Sequence, residues 1–269
     1  MRMGMRGFPL LDLVLSFLLS PGTSSGFTLE HLSITVLYDN NPYGKGLKTA
    51  WGFSCFLKAK GRGILFDTGG DGKMLLENMG KLGLSPSEIE VVVLSHIHPD
   101  HTGGLWSLLE RKESLPIYLP SSFPGWFKAR ARRYGAEVRE VREPGEILPG
   151  VYTTGEMGGG IKEQSLVVNT KGGLVIITGC AHPGILKIIS RAKGMFKRKV
   201  LLVMGGFHLN WSSEGRIREV VRGFRKAGVL YVAPCYCSGQ SARRLFREEY
   251  GPHYIEAGVG KTLTLQSLR

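Results

Sequence analysis

Short apolar runs alternate with polar, glycine-containing segments along the chain from Leu32 onward. Such runs are typical of buried strands, whereas apolar residues spaced three and four apart are typical of helices that cover a sheet. The pattern predicts strands at 33–38, 52–58, 63–66, 91–94, 117–119, 137–141, 150–154, 163–170, 174–178, 199–204 and 229–233, with a closing strand pair within 253–265. It predicts helices at 71–83, 105–112, 124–134, 183–193, 213–226 and 241–250. This alternation indicates a layered α/β fold.

Local signals support some of these boundaries. The segment Ser85-Pro86-Ser87-Glu88 has the spacing of a capping box with proline at the first helical position, which predicts a short helix before the next strand. Gly228 follows a predicted helix, where glycine commonly ends one. The strands at 137–141 and 150–154 lead us to expect a second sheet that begins there.

The segment from Val91 to Leu105 holds the strongest chemical signal. An apolar strand at its start leads into Ser-His-Ile-His-Pro-Asp-His-Thr. His96 and His98 alternate along an extended backbone, so both imidazoles can face one ion. Asp100 and His101 follow at the turn, where they can face a second ion. The spacing fits a two-metal hydrolytic centre better than a structural zinc site, because structural sites favour thiolates and closed four-ligand shells.

The pattern His-x-His-x-Asp-His after an apolar strand resembles the signature of the metallo-β-lactamase superfamily. Asp67 ends the strand at 63–66 and is similar to the aspartate with which that superfamily supports its metal loop. Further segments are similar to its dihydropteroate-synthase-like branch, labelled 7,8-dihydropterin-6-methyl-4-(β-D-ribofuranosyl)-aminobenzene-5′-phosphate synthase. These segments are 39–40, 51–54, 95–101, 178–184, 205–209 and 234–239.

The resemblance implies a four-layer αββα sandwich of two mixed sheets, with the metal loops at one sheet edge. It implies a pair of Zn2+ ions per chain, with Mn2+ or Fe2+ as alternatives. The implied ligands are His96, His98, Asp100, His101 and His182. Asp100 is expected both to bind an ion and to orient the reacting group. In hydrolysis, paired ions lower the pKa of a bridging water toward about 7; in the reaction of the branch they hold a diphosphate leaving group.

The chain departs from the family pattern at two ligand positions. Cys180 stands where the superfamily usually has a bridging aspartate, and no histidine precedes it in the predicted hairpin. Tyr236 stands where the branch usually has a histidine that resembles the final metal ligand. Tyrosine is a poor zinc ligand at neutral pH, since its reference pKa is about 10. Either Tyr236 lies near the ion without binding it tightly, or His208 takes its place, or the second ion binds weakly.

Three further residues are candidates for the site. His208 follows a strand end and is a candidate ligand or acid/base group. Glu163 is a candidate oxygen ligand. Asn40 lies in a loop that can border the active site and is a candidate for substrate binding; the alternative is that it serves the backbone of a turn.

The composition is that of a globular protein with a sizeable core, at 42% hydrophobic and 21% charged residues. The net charge of +13 favours anionic partners, which include phosphorylated metabolites, nucleic acid and acidic membranes. The helix at 124–134 carries basic and aromatic residues that can hold phosphates or bases, or can form a solvated face over an apolar underside. These residues are Trp126, Phe127, Lys128, Arg130, Arg132 and Arg133.

The four cysteines are too few and too irregularly spaced for a disulfide scaffold, so a reducing compartment is compatible with the sequence. Cys235 and Cys237 lack the second pair that would complete a zinc knuckle. We therefore predict that both are buried thiols.

Residues 1–31 lie outside the family resemblance and form an N-terminal extension to a single domain at 32–269. Basic residues precede an apolar run from Phe8 to Leu19, as in a secretory signal peptide, but Asp12 interrupts the run. We expect a cytoplasmic protein, with export as the alternative if residues 1–31 act as a signal. No other stretch is long and apolar enough to be transmembrane.

Three functions stay open on the sequence. The first is a metal-dependent hydrolase or transferase that acts on a small phosphorylated metabolite. The second is a nuclease on RNA or DNA, because processing ribonucleases of the superfamily share the histidine loop and prefer basic surfaces; the sequence contains no long inserted clamp domain. The third, suggested by Tyr236, is a metal-binding protein with little hydrolytic activity.

Overall fold

Two stacked β-sheets form the centre of the computed structural model, which describes residues 28–268. The first sheet has seven strands in the spatial order β13 (Thr262–Thr264), β1 (Leu32–Tyr38), β2 (Ser54–Ala59), β3 (Arg62–Phe66), β4 (Ile89–Val93), β5 (Pro116–Pro120) and β6 (Glu137–Val141). The second has six, in the order β12 (Val229–Cys235), β11 (Val200–Gly206), β10 (Gly173–Thr178), β9 (Leu166–Thr170), β8 (Val151–Thr153) and β7 (Gly145–Leu148). The helices are α1 (Gly72–Lys81), α2 (Pro99–Thr102), α3 (Leu105–Leu109), α4 (Gly125–Arg133), α5 (Ile185–Phe196), α6 (Glu214–Ala227) and α7 (Gly239–Tyr250).

Each sheet is antiparallel on one side and parallel on the other. In the first sheet β3 to β6 run parallel, and in the second sheet β10 to β12 run parallel. Parallel neighbours need a crossover, which the helices between successive strands supply. The parallel strands of a sheet therefore all end at the same edge.

Alternate residues of each strand face the space between the sheets. Phe66 and Val93 of the first sheet belong to the same apolar cluster as Val168 of the second. Leu65 of β3 and Ile176 of β10 face the opposite side of their sheets and belong to the clusters under the outer helices. Because both faces are covered, β10 is buried along its whole length. The predicted four-layer αββα sandwich is confirmed.

The predicted boundary signals are confirmed in detail. Ser85 caps a short 3₁₀ helix at Pro86–Glu88, and its capping box with Glu88 is complete. Gly228 ends α6 with a left-handed backbone at φ 74°. These caps satisfy backbone groups that helix ends leave unpaired.

The second sheet begins later than the sequence pattern predicts. The segment at 137–141 forms β6, which pairs in parallel with β5 along its whole length and so belongs to the first sheet. The second sheet begins with β7, which the pattern missed because it is short and only one of its residues is buried.

Two other predictions are wrong in part. Within 253–265, the structure has one strand, Thr262–Thr264, and not a strand pair. The helix predicted at 105–112 ends at Leu109, and the separate turn of α2 precedes it across Gly103 and Gly104, which lie against another backbone. A Cβ on Gly104 would lie 2.1 Å from the carbonyl oxygen of Thr68.

The start of the described chain is attached to the second sheet. Leu29 is buried, its amide donates to the Asn169 carbonyl at 2.8 Å, and its own carbonyl accepts from the Lys171 amide at 2.9 Å. The signal-like run predicted from Phe8 to Leu19 lies outside the described residues. None of the helices in residues 28–268 combines the length and hydrophobicity needed to cross a bilayer.

Asn78 of α1 joins that helix to the loop after β1. Its amide nitrogen donates to the carbonyls of Leu37 and Lys48, each at 2.9 Å, and its oxygen accepts from the Lys48 amide at 3.0 Å. The side chain is fully buried, so each of these backbone groups depends on it.

We expect Asn78→Ala to lower the free energy of unfolding by about 1 to 3 kcal/mol, because it leaves the buried Leu37 carbonyl and two partly buried backbone groups of Lys48 without their partner. Urea denaturation measures this loss. The control is Glu77→Ala, which removes a solvent-exposed ion pair with Lys48 and should change stability far less. An equal loss of unfolding free energy in the two variants would contradict the role of Asn78 as the partner of these backbone groups.

Candidate metal centre

The candidate site lies where parallel strands of both sheets end. Asp67 directly follows β3, and His96 follows β4. In the second sheet, Cys180 follows β10 and His208 follows β11, while Tyr236 directly follows β12. Open α/β sheets commonly bind ligands beyond the carboxyl ends of their strands. Both halves of the sandwich therefore contribute to one site.

Three histidines converge at the centre of this site. His96 Nε2 lies 3.1 Å from His98 Nδ1, and one ring nitrogen of each of His96, His98 and His182 lies within 4.8 Å of the others. The ring centroids of His96 and His182 are 4.6 Å apart. The first sheet thus contributes two imidazoles and the second sheet contributes the third.

Asp67 fixes the loop that carries the first two of these histidines. Its carboxylate accepts hydrogen bonds from the Ser95 amide at 2.6 Å and the Ser95 hydroxyl at 2.7 Å, and it lies 2.7 Å from His101 Nδ1. The Ser95 hydroxyl also lies 2.9 Å from His96 Nδ1. Asp67 is fully buried and orients two imidazoles, so the structure places it where the sequence predicted a supporting residue.

Glu163 supports the histidine of the second sheet in a similar way. One carboxylate oxygen accepts from the amides of Cys180 and Ala181, each at 2.9 Å. The other accepts from the His182 amide at 2.9 Å and lies 2.9 Å from His182 Nδ1. Both oxygens are used by the loop, which leaves the other ring nitrogen of His182 to face the two histidines of the first sheet.

Asp100 and Tyr236 meet across the site. The Tyr236 hydroxyl donates to Asp100 Oδ2, which lies 3.8 Å from His101 Nε2. The Tyr236 amide donates to the buried carboxylate of Asp39 at 3.1 Å. Tyr236 therefore lies beside the candidate ligands of a second ion, with its hydroxyl engaged by one of them.

Two thiols and an imidazole form a further group. Cys180 Sγ lies 3.6 Å from Cys237 Sγ and 3.3 Å from His101 Nε2. The donor atoms of Cys180, His208 and Cys237 lie within 4.8 Å of one another. The prediction that Cys235 and Cys237 are buried thiols is confirmed, since both are at most 1% exposed and unbridged.

A cavity of about 430 Å³ opens onto these groups. Trp51 and Trp211 stand at its mouth with their ring centroids 5.8 Å apart, and Trp51 also packs on Tyr236 at 4.8 Å. Trp211 is 74% exposed, which is unusual for so large an apolar ring. The full lining is Trp51, His98, Pro99, Asp100, Cys180, His182, His208, Trp211, Tyr236 and Cys237.

Left-handed backbone conformations cluster at the site. Among the described non-glycine residues with positive φ are Asp67 at 55°, Ala181 at 62°, His208 at 54° and Tyr236 at 48°. Each conformation of this kind costs on the order of 1 kcal/mol or more in a non-glycine residue and persists only where the surroundings enforce it. The strand ends therefore turn sharply to direct functional side chains into one space.

Burial and mutual repulsion set the charge of the histidines. Burial, followed by the neighbouring imidazoles, holds the pKa of His96 well below its usual range, so its ring is neutral and has a free lone pair. Burial and His182 also lower the pKa of His98. Burial opposes charge on His101, but Asp67 outweighs it and raises the pKa of His101. Burial raises the pKa of Asp67 as well, although its contacts with His101 and Ser95 oppose this shift.

The thiols differ from each other in acidity. Burial raises the pKa of Cys237, but hydrogen bonds with Cys180 and His208 outweigh it and lower that pKa to about 6. The hydrogen bond with Cys237, followed by burial, raises the pKa of Cys180. The hydrogen bond with Cys237 outweighs burial and raises the pKa of His208. Cys237 is therefore the thiol that ionises first.

The donor set fits a metal ion. Neutral imidazoles are the commonest nitrogen ligands of Zn2+, and three of them with an open position are typical of catalytic zinc sites. His96, His98 and His182 supply such a set, and His98 and His182 line the cavity. Asp100 and His101 lie next to it, as the sequence pattern predicted.

Asn40 is the one predicted site residue that lies elsewhere in the described structure. It is absent from the cavity lining, and its side-chain oxygen accepts from the Asn41 amide group at 2.9 Å. This contact joins two side chains of the loop, and a role of Asn40 in substrate binding stays a prediction. Asn41 in turn donates to Asp39, so the loop acts on the site through Asp39 and Tyr236.

The basic helix α4 is engaged with its own chain. Lys128 pairs with Glu140 at 2.7 Å, and Arg132 lies 3.7 Å from the same carboxylate. The Arg130 guanidinium lies 4.0 Å from the ring centroid of Trp106. These contacts favour the alternative that the helix is a solvated face over an apolar underside.

Several residues of the site were missed by the sequence interpretation. They are Asp39, Trp51, Ser95, Trp211 and the thiol of Cys237 as a member of the site. For four of them the available signal was the family resemblance, whose matching segments include Asp39, Trp51, Ser95 and Cys237. Trp211 has no such signal, because it follows the last matching segment before α6.

Comparison with known proteins gives a consistent result. The family model described as metallo-beta-lactamase superfamily matches residues 52–188. The 7,8-dihydropterin-6-methyl-4-(beta-D-ribofuranosyl)-aminobenzene-5'-phosphate synthase of Methanocaldococcus jannaschii is 28% identical over an alignment of 278 positions, gaps included, that covers 85% of this chain and 95% of that protein. The crystal structure of Tm1679, a metal-dependent hydrolase of the beta-lactamase superfamily, has a TM-score of 0.72 at 30% identity and covers 86% of this chain and 98% of its own. Ribonuclease Z of Nanoarchaeum equitans is 43% identical over 56 residues, which are 21% of this chain and 17% of that enzyme.

Gly179 lets the second sheet approach the supporting aspartate of the first. A Cβ at this position would lie 2.2 Å from the Ser95 hydroxyl oxygen and 2.9 Å from Asp67 Oδ2. We expect Gly179→Ala to lower the free energy of unfolding by about 1 to 3 kcal/mol through overpacking, as measured by urea denaturation.

Gly194 in α5 provides the matched control, because a Cβ there meets nothing within 4 Å. Gly194→Ala should raise stability by about 0.5 to 1 kcal/mol, as expected when alanine replaces glycine in a helix. If Gly179→Ala were as stable as Gly194→Ala, the close approach of the two sheets at this point would be wrong.

Proposed function

The chain belongs to the metallo-β-lactamase superfamily, and on that premise we propose that it is a metal-dependent hydrolase or transferase of a small phosphorylated metabolite. The observation that carries the proposal is the convergence of the buried His96 with His98 and His182, which line a cavity. Its volume of about 430 Å³ is in the range of small-molecule sites.

The first ion is held by His96, His98 and His182, and Zn2+ is the ion that such a set favours, with Mn2+ or Fe2+ as alternatives. Asp100 and His101 are the candidate ligands of a second ion. When bound, such ions supply Lewis-acid stabilisation of negative charge on a substrate oxygen. Asp67 and Glu163 act on this centre indirectly, because they fix the orientation of ligand imidazoles.

Lysine and arginine side chains usually neutralise the anionic groups of a substrate. Among the described residues that line the cavity, none is lysine or arginine. His208 lines the wall, and its ring centroid lies 4.7 Å from that of His182. It can therefore donate a hydrogen bond or a proton to a leaving oxygen at the edge of the site. Asp100, held by the Tyr236 hydroxyl, is placed to orient the reacting group.

The mouth of the cavity suits a substrate with a planar ring. Trp51 and Trp211, which are 43% and 74% exposed, offer aromatic faces on one side of the opening, and the buried ring of Tyr236 packs against Trp51. Aromatic faces bind flat, conjugated rings by stacking. The relative from Methanocaldococcus jannaschii is named for a dihydropterin and an aminobenzene ribose phosphate, which combine flat rings with phosphate. This likeness supports a substrate of the same general kind.

A nuclease is the second candidate, and it rests on the likeness to ribonuclease Z. That likeness covers 21% of this chain. The paired cations of α4 also leave less free charge for a nucleic-acid backbone. The small-molecule reaction is therefore the better supported proposal.

We expect purified protein to contain about one or two divalent ions per chain and to hydrolyse phosphoesters in a metal-dependent manner. His98→Ala should lose metal content and at least about 100-fold in turnover, because it removes one of three converging imidazoles. Elemental analysis and a substrate panel of phosphomonoesters, diphosphates and RNA measure both effects.

His31→Ala is the control, because His31 is exposed and outside the cavity. It should leave metal content and turnover unchanged. Full activity of His98→Ala would refute the proposal. Stoichiometric metal without turnover on any member of the panel would identify a metal-binding protein, and cleavage of RNA alone would identify a nuclease.

Trp211→Ala should raise KM for an aromatic phosphoester by about 10-fold, which corresponds to the loss of one stacked ring. Its effect on kcat should be small, since Trp211 stands at the mouth and not at the metal ligands. Trp126→Ala is the matched control, because Trp126 is also exposed, at 63%, but lies outside the cavity. Steady-state kinetics measure both constants. An equal rise of KM in the two variants would exclude the contact between Trp211 and the substrate ring.

A further inference from the structure

The thiol-imidazole group of Cys180, Cys237 and His208 shares no residue with the three-histidine set. Both sulfurs are buried, at 4% and 1% exposure, yet both contribute to the cavity wall. Buried thiols normally pack as small apolar groups in a core. These two instead face each other and an imidazole at the floor of a cavity.

We propose that Cys180, Cys237 and His208 form a binding site for a thiophilic metal ion, such as Zn2+, Cd2+ or Cu+. The proposal goes beyond the proposed function, because it concerns a further ion position whose donors include neither Asp100 nor His101, the candidate ligands of the second ion. The site requires none of the three imidazoles of the first ion. It offers an ion a softer set of donors than Asp100, whose carboxylate is engaged by the Tyr236 hydroxyl.

The spacing of the sulfurs fits a shared ion. Zinc–sulfur bonds of about 2.3 Å at a tetrahedral angle place two sulfurs about 3.8 Å apart. The distance from Cys180 Sγ to Cys237 Sγ is 3.6 Å, and no disulfide joins them. The nearest nitrogen of His208 lies within 4.8 Å of both sulfurs.

The backbone holds the three donors in place. They follow three adjacent parallel strands, β10, β11 and β12. Glu163 accepts from the Cys180 amide, and the Cys237 carbonyl accepts from the amides of Leu209 and Asn210, each at 3.1 Å, directly beyond His208. A Cβ on Gly206 would lie 2.5 Å from Cys237 Sγ, so glycine at this position makes room for the sulfur.

The chemistry of the donors favours soft ions. Thiolates select Zn2+, Cd2+ and Cu+ over hard ions such as Mg2+ and Mn2+. Two thiolates also neutralise a dication, which removes most of the cost of burying its charge. His208 is exposed and borders the opening, so an ion on this group can accept a further ligand from the cavity.

Co2+ titration of the metal-free full chain tests the site, since sulfur bound to Co2+ gives charge-transfer absorption in the near ultraviolet. We expect this absorption in the unmodified chain and in Cys55→Ala, whose thiol lies in the core between the sheets. Cys237→Ser should lose at least half of it. Cd2+ affinity, measured by competition with a chelator, should fall at least about 10-fold in the same variant.

A second variant separates this site from the proposed function. His98→Ala should keep the sulfur-to-cobalt absorption while it loses turnover. If it keeps both, the proposed function fails and the thiol site stands. Absence of the absorption in the unmodified chain, or full absorption in a Cys237→Ser protein with native circular dichroism, would refute the thiol site. Should Cys237→Ser fail to fold, His208→Ala tests the same site through the same Cd2+ affinity.

Discussion

A single buried carboxylate governs the geometry of the site. Asp67 stands at the end of β3, accepts both hydrogen bonds of Ser95 and contacts the ring of His101. In an interior of low dielectric such a network is strong when every member is satisfied and costly when one is missing. The Ser95 hydroxyl, which donates to this carboxylate, lies 2.9 Å from His96 Nδ1, so Asp67 also orients the ring of His96. Gly179 then brings the second sheet against the same group.

The division of work between the sheets follows from their topology. Each sheet directs the ends of its parallel strands to the site, and five of these ends, those of β3, β4, β10, β11 and β12, carry its residues. Glu163 does for the second sheet what Asp67 does for the first, since each orients an imidazole through a ring nitrogen. Left-handed residues at the strand ends show where packing overrides local preference.

Much of this arrangement could be predicted from sequence, because its signals are local. Alternation in the extended segment after β4 placed His96 and His98 side by side, and the apolar periodicity gave most strands of both sheets. What could not be predicted depends on long-range contacts. The sulfurs of Cys180 and Cys237 meet across 57 positions of sequence, and the cations of α4 find partners on β6. The sequence pattern also assigned β6 to the wrong sheet, because a pattern of alternation does not identify the neighbour of a strand.

The three central imidazoles come from different sheets, two from the loop after β4 and one from the loop after β10. An ion bound to all of them would therefore clamp the halves of the sandwich together. By mass action, a ligand present at about 100 times its dissociation constant adds about 2.7 kcal/mol to the stability of the folded state. Removal of the ion by a chelator would thus lower the stability of the folded state as well as the activity. The resistance of this protein to heat and proteases would then vary with the metal supply of its surroundings.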